Sequence, residues 1–587
     1  MRLALPAQSE TVQAVTYPPA FKGRVWPADH RRHETFCTKL LAILRNTFSQ
    51  PTTEWAALMR NQMLTSLNVK APPMLFPLVY FAATHTHTPQ PAPRDKPSPY
   101  DPPSDLTPDG SNRRKHPLHT DGEVTISRLI DWDTSDPEKL KIKSNWLLVE
   151  SGNQSDRIHV RSWPGDKLQI LINDKPYFFD IKEKQGPEQH LWIETRGGDD
   201  TVIIDDDVKL RVDVEGGDGN DYIRAGGGRS RLYGGNGKDF LQLGSGLGYA
   251  EGNDGDDTIL GGSGHAVMYG NKGMDLLIAG DGPATKQSYL DGGDNEDVLV
   301  SGSGHTVSHG GNDDDLLIGR DSTTFYTGKG HDTILNNQRK DRIYANASDH
   351  FDRTQGSAFT EVKPSNAGEQ AFIVKDGHLE FKQRVTDDLE FLRSSPLGQQ
   401  TLAKMDELAV LNGGKVTIER IASGEESSYR FWRTDQDALT PEAQDALPPS
   451  DWGVIQNGVA GLGANSAQIF FDPQSTLESA DGTFTLIPVT TLFHEIGHAY
   501  NGATGTLLAG ESTERRESGI SDVVSHQEYQ VVGLPSDDEP FDFDNDPATP
   551  PSTINPKPFT ENGLTEEMGK PLRKKYLFET SAQGDGL

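Results

Sequence analysis

Gly216-Gly-Asp-Gly-Asn-Asp221-Tyr-Ile223 begins a glycine-aspartate series that fills residues 216 to about 335. Three close copies follow: Gly234-Gly-Asn-Gly-Lys-Asp239-Phe-Leu241, Gly252-Asn-Asp-Gly-Asp-Asp257-Thr-Ile259 and Gly270-Asn-Lys-Gly-Met-Asp275-Leu-Leu277. Looser copies end in Asp297, Asp315 and Asp332. The steps from Asp221 to Asp275 are 18 residues each, and the step to Asp297 is 22, which puts four inserted residues at Pro283 to Lys286. Glycine allows the left-handed backbone of a tight turn. The apolar eighth residue of each unit (Ile223, Leu241, Ile259, Leu277) is expected to point inward. Asn295 and Asp313 stand where earlier copies have glycine. Both tolerate left-handed backbone, so the repeat is expected to continue through them.

A period of 18 built from two nonapeptides resembles the parallel β-roll of calcium-binding RTX proteins. The resemblance implies Ca²⁺ bound through Asp221, Asp239, Asp257, Asp275, Asp297, Asp315 and Asp332. The intervening nonapeptides lack the acid: Ser230, Gly248, Ala266 and Thr306 occupy its place. Only one edge of the roll is therefore equipped for calcium, and a single row of sites is expected. Each Ca²⁺ needs about six to eight oxygens, so neighbouring turns must share ligands. Lys272 replaces an acid or amide and should weaken its copy.

Toward the carboxy end, Pro488-Val-Thr-Thr-Leu-Phe-His494-Glu495-Ile-Gly-His498-Ala-Tyr500 places His-Glu-x-x-His in an apolar run. Pro488 suits a first helical turn, Leu492 and Ile496 form an i,i+4 pair, and Gly502 reads as a stop. Residues four apart share a helix face, so His494 and His498 can offer two imidazoles to one Zn²⁺, with Glu495 beside them to take a proton from water. A catalytic zinc takes three protein ligands. The candidates for the third among the acids and histidines downstream are Glu528, His526, Asp522 and Glu511. Glu528 is preferred, although Ser525-x-x-Glu528 also fits a capping box.

Around this motif, Phe372 to Phe381 reads as a hairpin on Asp376-Gly377. A helix carrying Val385, Leu389 and Leu392 comes next. Ser395-Pro396 then starts another as N-cap and first-turn proline. Lys415 to Arg420 and Gln468 to Asp472 read as strands, the second placed as the edge strand beside an extended substrate.

Arg393 to Gln399, the His494–His498 motif, Glu528-Tyr-Gln-Val-Val-Gly-Leu-Pro535 and Glu561 through Tyr576 succeed one another in an order that resembles the M91 zinc-metallopeptidase family of bacterial secreted effectors. The resemblance spans roughly residues 365 to 577. It implies a zincin-like α+β domain in which His494, His498 and Glu528 hold zinc and Glu495 is the general base. It also implies a protein or peptide substrate, such as a host signalling protein. Arg573 and Tyr576 form an Arg-x-x-Tyr pair similar to one flanking zinc in clostridial neurotoxin light chains, which implies a role at the oxyanion.

Length and composition bound the rest. The 587 residues allow roughly three or four domains. We expect a multidomain chain: a low-complexity and helical region over 1–125, β-strands and the roll over 126–350, and the metallopeptidase over 351–587. Residues 36–48 and 53–67 have amphipathic helical spacing, and Pro89 to His119 reads as a linker. Asn145 to Val149, Arg157 to Arg161, Leu168 to Ile172 and Tyr177 to Ile181 read as strands, with turns at Pro164-Gly165 and Asn173-Asp174.

With 87 acidic against 56 basic residues, the net charge of −31 argues against nucleic acid as a partner. The one cysteine, Cys37, excludes an intrachain disulfide. No run is long enough to span a bilayer, and residues 1–7 lack a Sec-type h-region. With these absences, the resemblance to secreted effectors implies export by a non-Sec route and delivery into host cells. The competing reading is a non-catalytic calcium-binding surface protein with a vestigial peptidase domain. Oligomeric state is not legible.

Overall fold

The computed structural model describes residues 98–580, apart from 107–111, 135–138, 182–186, 376, 422–426, 517 and 545. The two helical spans expected before residue 68, and Cys37, lie outside the described residues.

Two long sheets form the middle of the chain. The first has 13 strands, starting as the antiparallel meander Arg113–Asp121, Val124–Asp133 and Lys141–Glu150. From there it continues in parallel through Gln189–Glu194, Val212–Asp218, Ser230–Asn236 and onward to Ala358–Glu361. The second sheet has 11 strands, mostly three residues long, and ends in the hairpins Arg157–Trp163, Lys167–Ile172 and Lys175–Asp180. The chain alternates between the sheets every nine residues or so, which is a β-solenoid over about 191–361.

Between the sheets, Ile223, Leu241, Ile259 and Leu277 are fully buried against Leu232, Ala250 and Met268, as the period predicts. Asn295 (φ 81°) and Asp313 (φ 77°) take the left-handed backbone expected of them. The linker reading of Pro89 to His119 needs correction at its end. Arg113–Asp121 is a strand, turned at Gly122 (φ 60°) and paired with Val124–Asp133.

The carboxy-terminal region is α+β. Its four-stranded sheet runs Phe372–Val374, Val416–Arg420, Ser466–Phe471, Ser428–Trp432, with the last strand antiparallel. Besides a single turn at Pro441–Asp445, the helices that accompany this sheet are α1 (Leu379–Ser394), α2 (Pro396–Asn412), α3 (Pro488–Thr504), α4 (His526–Val532) and α5 (Glu561–Glu567). Ser395 caps α2 as expected, its hydroxyl accepting from Gly398 N at 2.9 Å.

Three local readings are corrected. Phe372 to Phe381 is no hairpin: Phe372–Val374 pairs in parallel with Val416–Ile418, and Leu379 already begins α1. Ser466–Phe471 is interior, and the edge strand is Ser428–Trp432. Gly502 lies inside α3, where a Cβ would come within 2.8 Å of the Phe431 ring, and the helix stops at Gly505 (φ 68°).

The outward face of the 13-stranded sheet is covered by the carboxy-terminal region. Tyr249, Tyr269, Tyr289 and Tyr326 are buried there in one cluster with Phe391, Leu392 and the α3 residues Leu492 and Ile496. Arg384 of α1 lies 3.3 Å over the Tyr269 ring and pairs with Asp388 at 3.3 Å. Strand pairing places Tyr249 opposite Val267 and Tyr289 opposite Val307, which makes a continuous apolar stripe along the stack. Among the described residues, no helix is long and apolar enough to cross a membrane.

Candidate metal centre

Helix α3 is buried along nearly its whole length because it is wedged between the sheet, α2 and α5. Pro488 opens it, and the Thr490 hydroxyl accepts from Ile487 N at 3.1 Å, which satisfies a backbone donor at the helix start. Gly497 is required because a Cβ there would meet Val531 at 2.6 Å. That close approach brings α4 against α3.

Helix α4 is fixed in turn. Ser525 caps it, its hydroxyl accepting from Gln527 N at 3.3 Å, and Gly533 (φ 90°) ends it. The buried Gln530 amide donates to Thr506 O at 2.8 Å and to Asn555 Oδ1 at 2.9 Å. The result is convergence of three donor atoms. His494 Nε2 and His498 Nε2 are 3.0 Å apart, and Glu528 Oε2 lies 3.0 Å from the first and 3.2 Å from the second. These three atoms form a group placed to hold a metal ion.

The other candidates for the third position are elsewhere. His526 is held by Ala509 O (2.9 Å) and Ser512 Oγ (2.8 Å), Asp522 pairs with Arg516 (2.9 Å), and Glu511 is exposed on a surface hairpin. Ser525 caps the helix, but Glu528 turns to the histidines rather than completing a capping box.

The electrostatics match a cation site. Burial disfavours charge on Glu528, but His498 and His494 outweigh it and hold the carboxylate well below its usual range. Burial likewise opposes charge on His494, yet hydrogen bonds to Glu528 and Glu561 raise it to about 10. Burial lowers His498. Two imidazoles and a carboxylate held this close are a donor set that releases protons when a metal ion binds.

Two residues of the site are not evident from the sequence. Tyr429, on the edge strand, stacks on the His498 ring at 3.9 Å with 10° between planes. The alternation of Tyr429 and Phe431 is its only signal. Glu561 accepts from His494 Nδ1 at 3.0 Å and from Arg573 at 2.9 Å, the arrangement that fixes the tautomer and tilt of a ligating histidine. Nothing local marks it. Glu495, which follows His494 in the chain, is buried, 5% exposed. Arg573 also donates to Tyr576 O at 2.5 Å, and its guanidinium lies 4.7 Å from the Tyr576 ring, so the Arg-x-x-Tyr pair is one unit anchored on Glu561.

On the solenoid, the seven aspartates form a ladder along one edge. Oδ1 of Asp239 accepts from Asp221 N at 2.7 Å, Asp257 from Asp239, Asp275 from Asp257, and so on to Asp332, which accepts from Asp315 N. The repeat pattern does not reveal the rungs at either end: Asp156 N donates to Asp200, Asp200 N to Asp221, and Asp332 N to Asp349.

Oδ2 of Asp200, Asp221, Asp239, Asp257, Asp275, Asp297, Asp315 and Asp332 is buried without a protein partner. Oδ2 of Asp221 and the Gly234 carbonyl converge on Gly216, and the same pairing recurs at Gly234, Gly252 and Gly270. Such oxygen-lined cradles fit a hard divalent cation. Burial raises Asp221 to about 6, Asp239 to about 7 and Asp332 to about 8. On the opposite edge, the buried Lys286 ammonium donates to the carbonyls of Gly262 and Ala279, a fixed cation supplied by the four-residue insertion.

Comparison with known proteins agrees with this division. The Peptidase_M91 family model, described as an effector protein, matches residues 369–576. The model of the RTX calcium-binding nonapeptide repeat matches residues 215–247 and 251–283. No curated protein and no solved structure matches the chain. Residues 369–576 are therefore similar to the Peptidase_M91 effector family, and they are preceded by segments that match the RTX calcium-binding repeat.

Proposed function

We propose that this protein is a secreted, zinc-dependent endopeptidase that acts on a protein of a host cell. The peptidase would occupy residues 351–587, and calcium would order the repeats within 126–350. The observation that carries the reading is the triangle of His494 Nε2, His498 Nε2 and Glu528 Oε2, with edges of 3.0, 3.0 and 3.2 Å. One face of a tetrahedron of zinc ligands, with bonds of about 2.0 Å, has edges of about 3.3 Å.

A bound zinc lowers the pKa of its water and polarises the substrate carbonyl. Glu495, one residue along from His494, takes the proton of the attacking water and returns it to the leaving amine. Glu561 holds His494 in the tautomer that leaves Nε2 free for the ion. Arg573 braces Glu561 and seats Tyr576, whose phenol is our candidate donor to the developing oxyanion. Strand Ser428–Trp432, at the sheet edge beside His498, is available to pair with an extended substrate. Asp221, Asp239, Asp257, Asp275, Asp297, Asp315 and Asp332 would ligate calcium.

Two measurements bear on this reading. Glu528→Ala is expected to weaken zinc binding by at least about 10²-fold, read by chelator competition, because a two-histidine site lacks the third ligand. New protein termini in host-cell lysate, compared between wild type and Glu495→Gln, test the activity itself. Termini found only with the wild type support it, and identical terminus profiles contradict it.

A further inference from the structure

Helix α5 touches the metal centre at one end and the roll at the other. Its first residue, Glu561, holds His494. Its last turn ends on the outward face of the 13-stranded sheet. There Thr324 Oγ1 donates to Met568 O at 2.8 Å, and His305 Nε2 lies 2.8 Å from the same oxygen. The Tyr344 hydroxyl donates to Glu567 O at 3.3 Å, and Arg342 donates to the carbonyls of Glu566 and Glu567. The Glu567 carboxylate is buried and accepts from Tyr326 (3.2 Å), Ser395 (2.6 Å) and Leu397 N (3.0 Å).

The final carbonyls of a helix have no partner within it. Here roll residues more than 200 positions away supply the donors, and Arg342 adds a cation at the negative end of the dipole. A seven-residue helix is too short to hold itself together in water. Its geometry is set by what grips its ends. His305, Thr324 and Tyr326 sit on strands followed by the turns that carry Asp315 and Asp332, and Arg342 sits on the next strand, followed by Asp349, which accepts from Asp332 N.

We propose that the roll is a positioning element of the metal centre: its calcium-ordered turns grip the end of α5, α5 sets Glu561 against His494, and calcium in the roll and zinc at the cluster are therefore coupled. This rests on the zinc reading above. Coupling between two sites is reciprocal, so each ion tightens the other through the same helix.

The test uses the full chain. Thr324→Val with Tyr344→Phe removes two donors almost isosterically, and Arg342→Ala removes the cation. Amide exchange across 561–569 and zinc affinity by chromophoric chelator competition are measured in saturating calcium. The wild type is then measured in calcium-free buffer. We expect exchange in α5 to rise by about tenfold or more and zinc affinity to fall by about three- to tenfold, in the variants and on calcium removal alike.

Folded variants, with exchange across α1 and α2 as in the wild type, whose α5 exchange and zinc affinity are unchanged overturn the proposal and leave the peptidase reading standing. If Arg342→Ala does not fold, the isosteric pair decides. Wild-type protein that takes up no zinc overturns the peptidase reading, and the coupling with it.

Discussion

Glu495→Gln is expected to lower kcat/KM for any cleaved substrate by about 10³-fold while leaving zinc bound. The two halves of that result come from different atoms. The metal triangle consists of His494, His498 and Glu528, so an amide at 495 removes no ligand. Glutamine has the shape of glutamate and fits the same buried position, where the residue is 5% exposed, so α3 should fold unchanged. The variant loses only the capacity to accept a proton from water and pass it on. A general base at this position contributes about 10² to 10⁴ in rate. Activity within about tenfold of the wild type, with zinc content equal, would remove Glu495 from the mechanism.

The second large effect belongs to the roll. Calcium should stabilise the protein more at pH 8 than at pH 5.5, the difference in melting increment being about 10 °C. Burial raises Asp221 to about 6, Asp239 to about 7 and Asp332 to about 8, above the value of about 3.9 in an unfolded chain. Without calcium, the folded ladder binds more protons than the unfolded chain. That contribution is fully present below about pH 4 and is lost as pH rises through about 6 to 8. Calcium requires the ionised carboxylates, so loading at pH 5.5 must displace protons that Asp221 and Asp239 have largely lost by pH 8. Differential scanning calorimetry with and without calcium at the two pH values reads the increment. An equal increment at both, or none at either, would show that the aspartate edge is not the calcium edge.

What the sequence made legible was local. The 18-residue period located the inward residues and the aspartate edge, because each turn repeats the same backbone conformation. Asn295 and Asp313 could be placed in left-handed turns from their side chains alone. That His494 and His498 lie together was legible because one helix carries both, and Glu528 could be proposed beside them because it stands on the next capped helix.

Residues brought in from a distance were not legible. Tyr429 reaches His498 from a strand some 70 positions away, and Glu561 reaches His494 across 67. The burial of Tyr249, Tyr269, Tyr289 and Tyr326 on the roll's outer face comes from the docked carboxy-terminal helices, which nothing in the repeat announces. The stop at Gly502 failed for a related reason. A glycine demanded by the Phe431 ring and a glycine that ends a helix look the same until the partner is known.

Metal content of the purified full chain tests the central claim most directly. The account predicts one zinc per chain in the wild type and less than about a tenth of that in His498→Ala, with calcium content equal in the two. Calcium without zinc in the wild type, or zinc that survives His498→Ala undiminished, would contradict it.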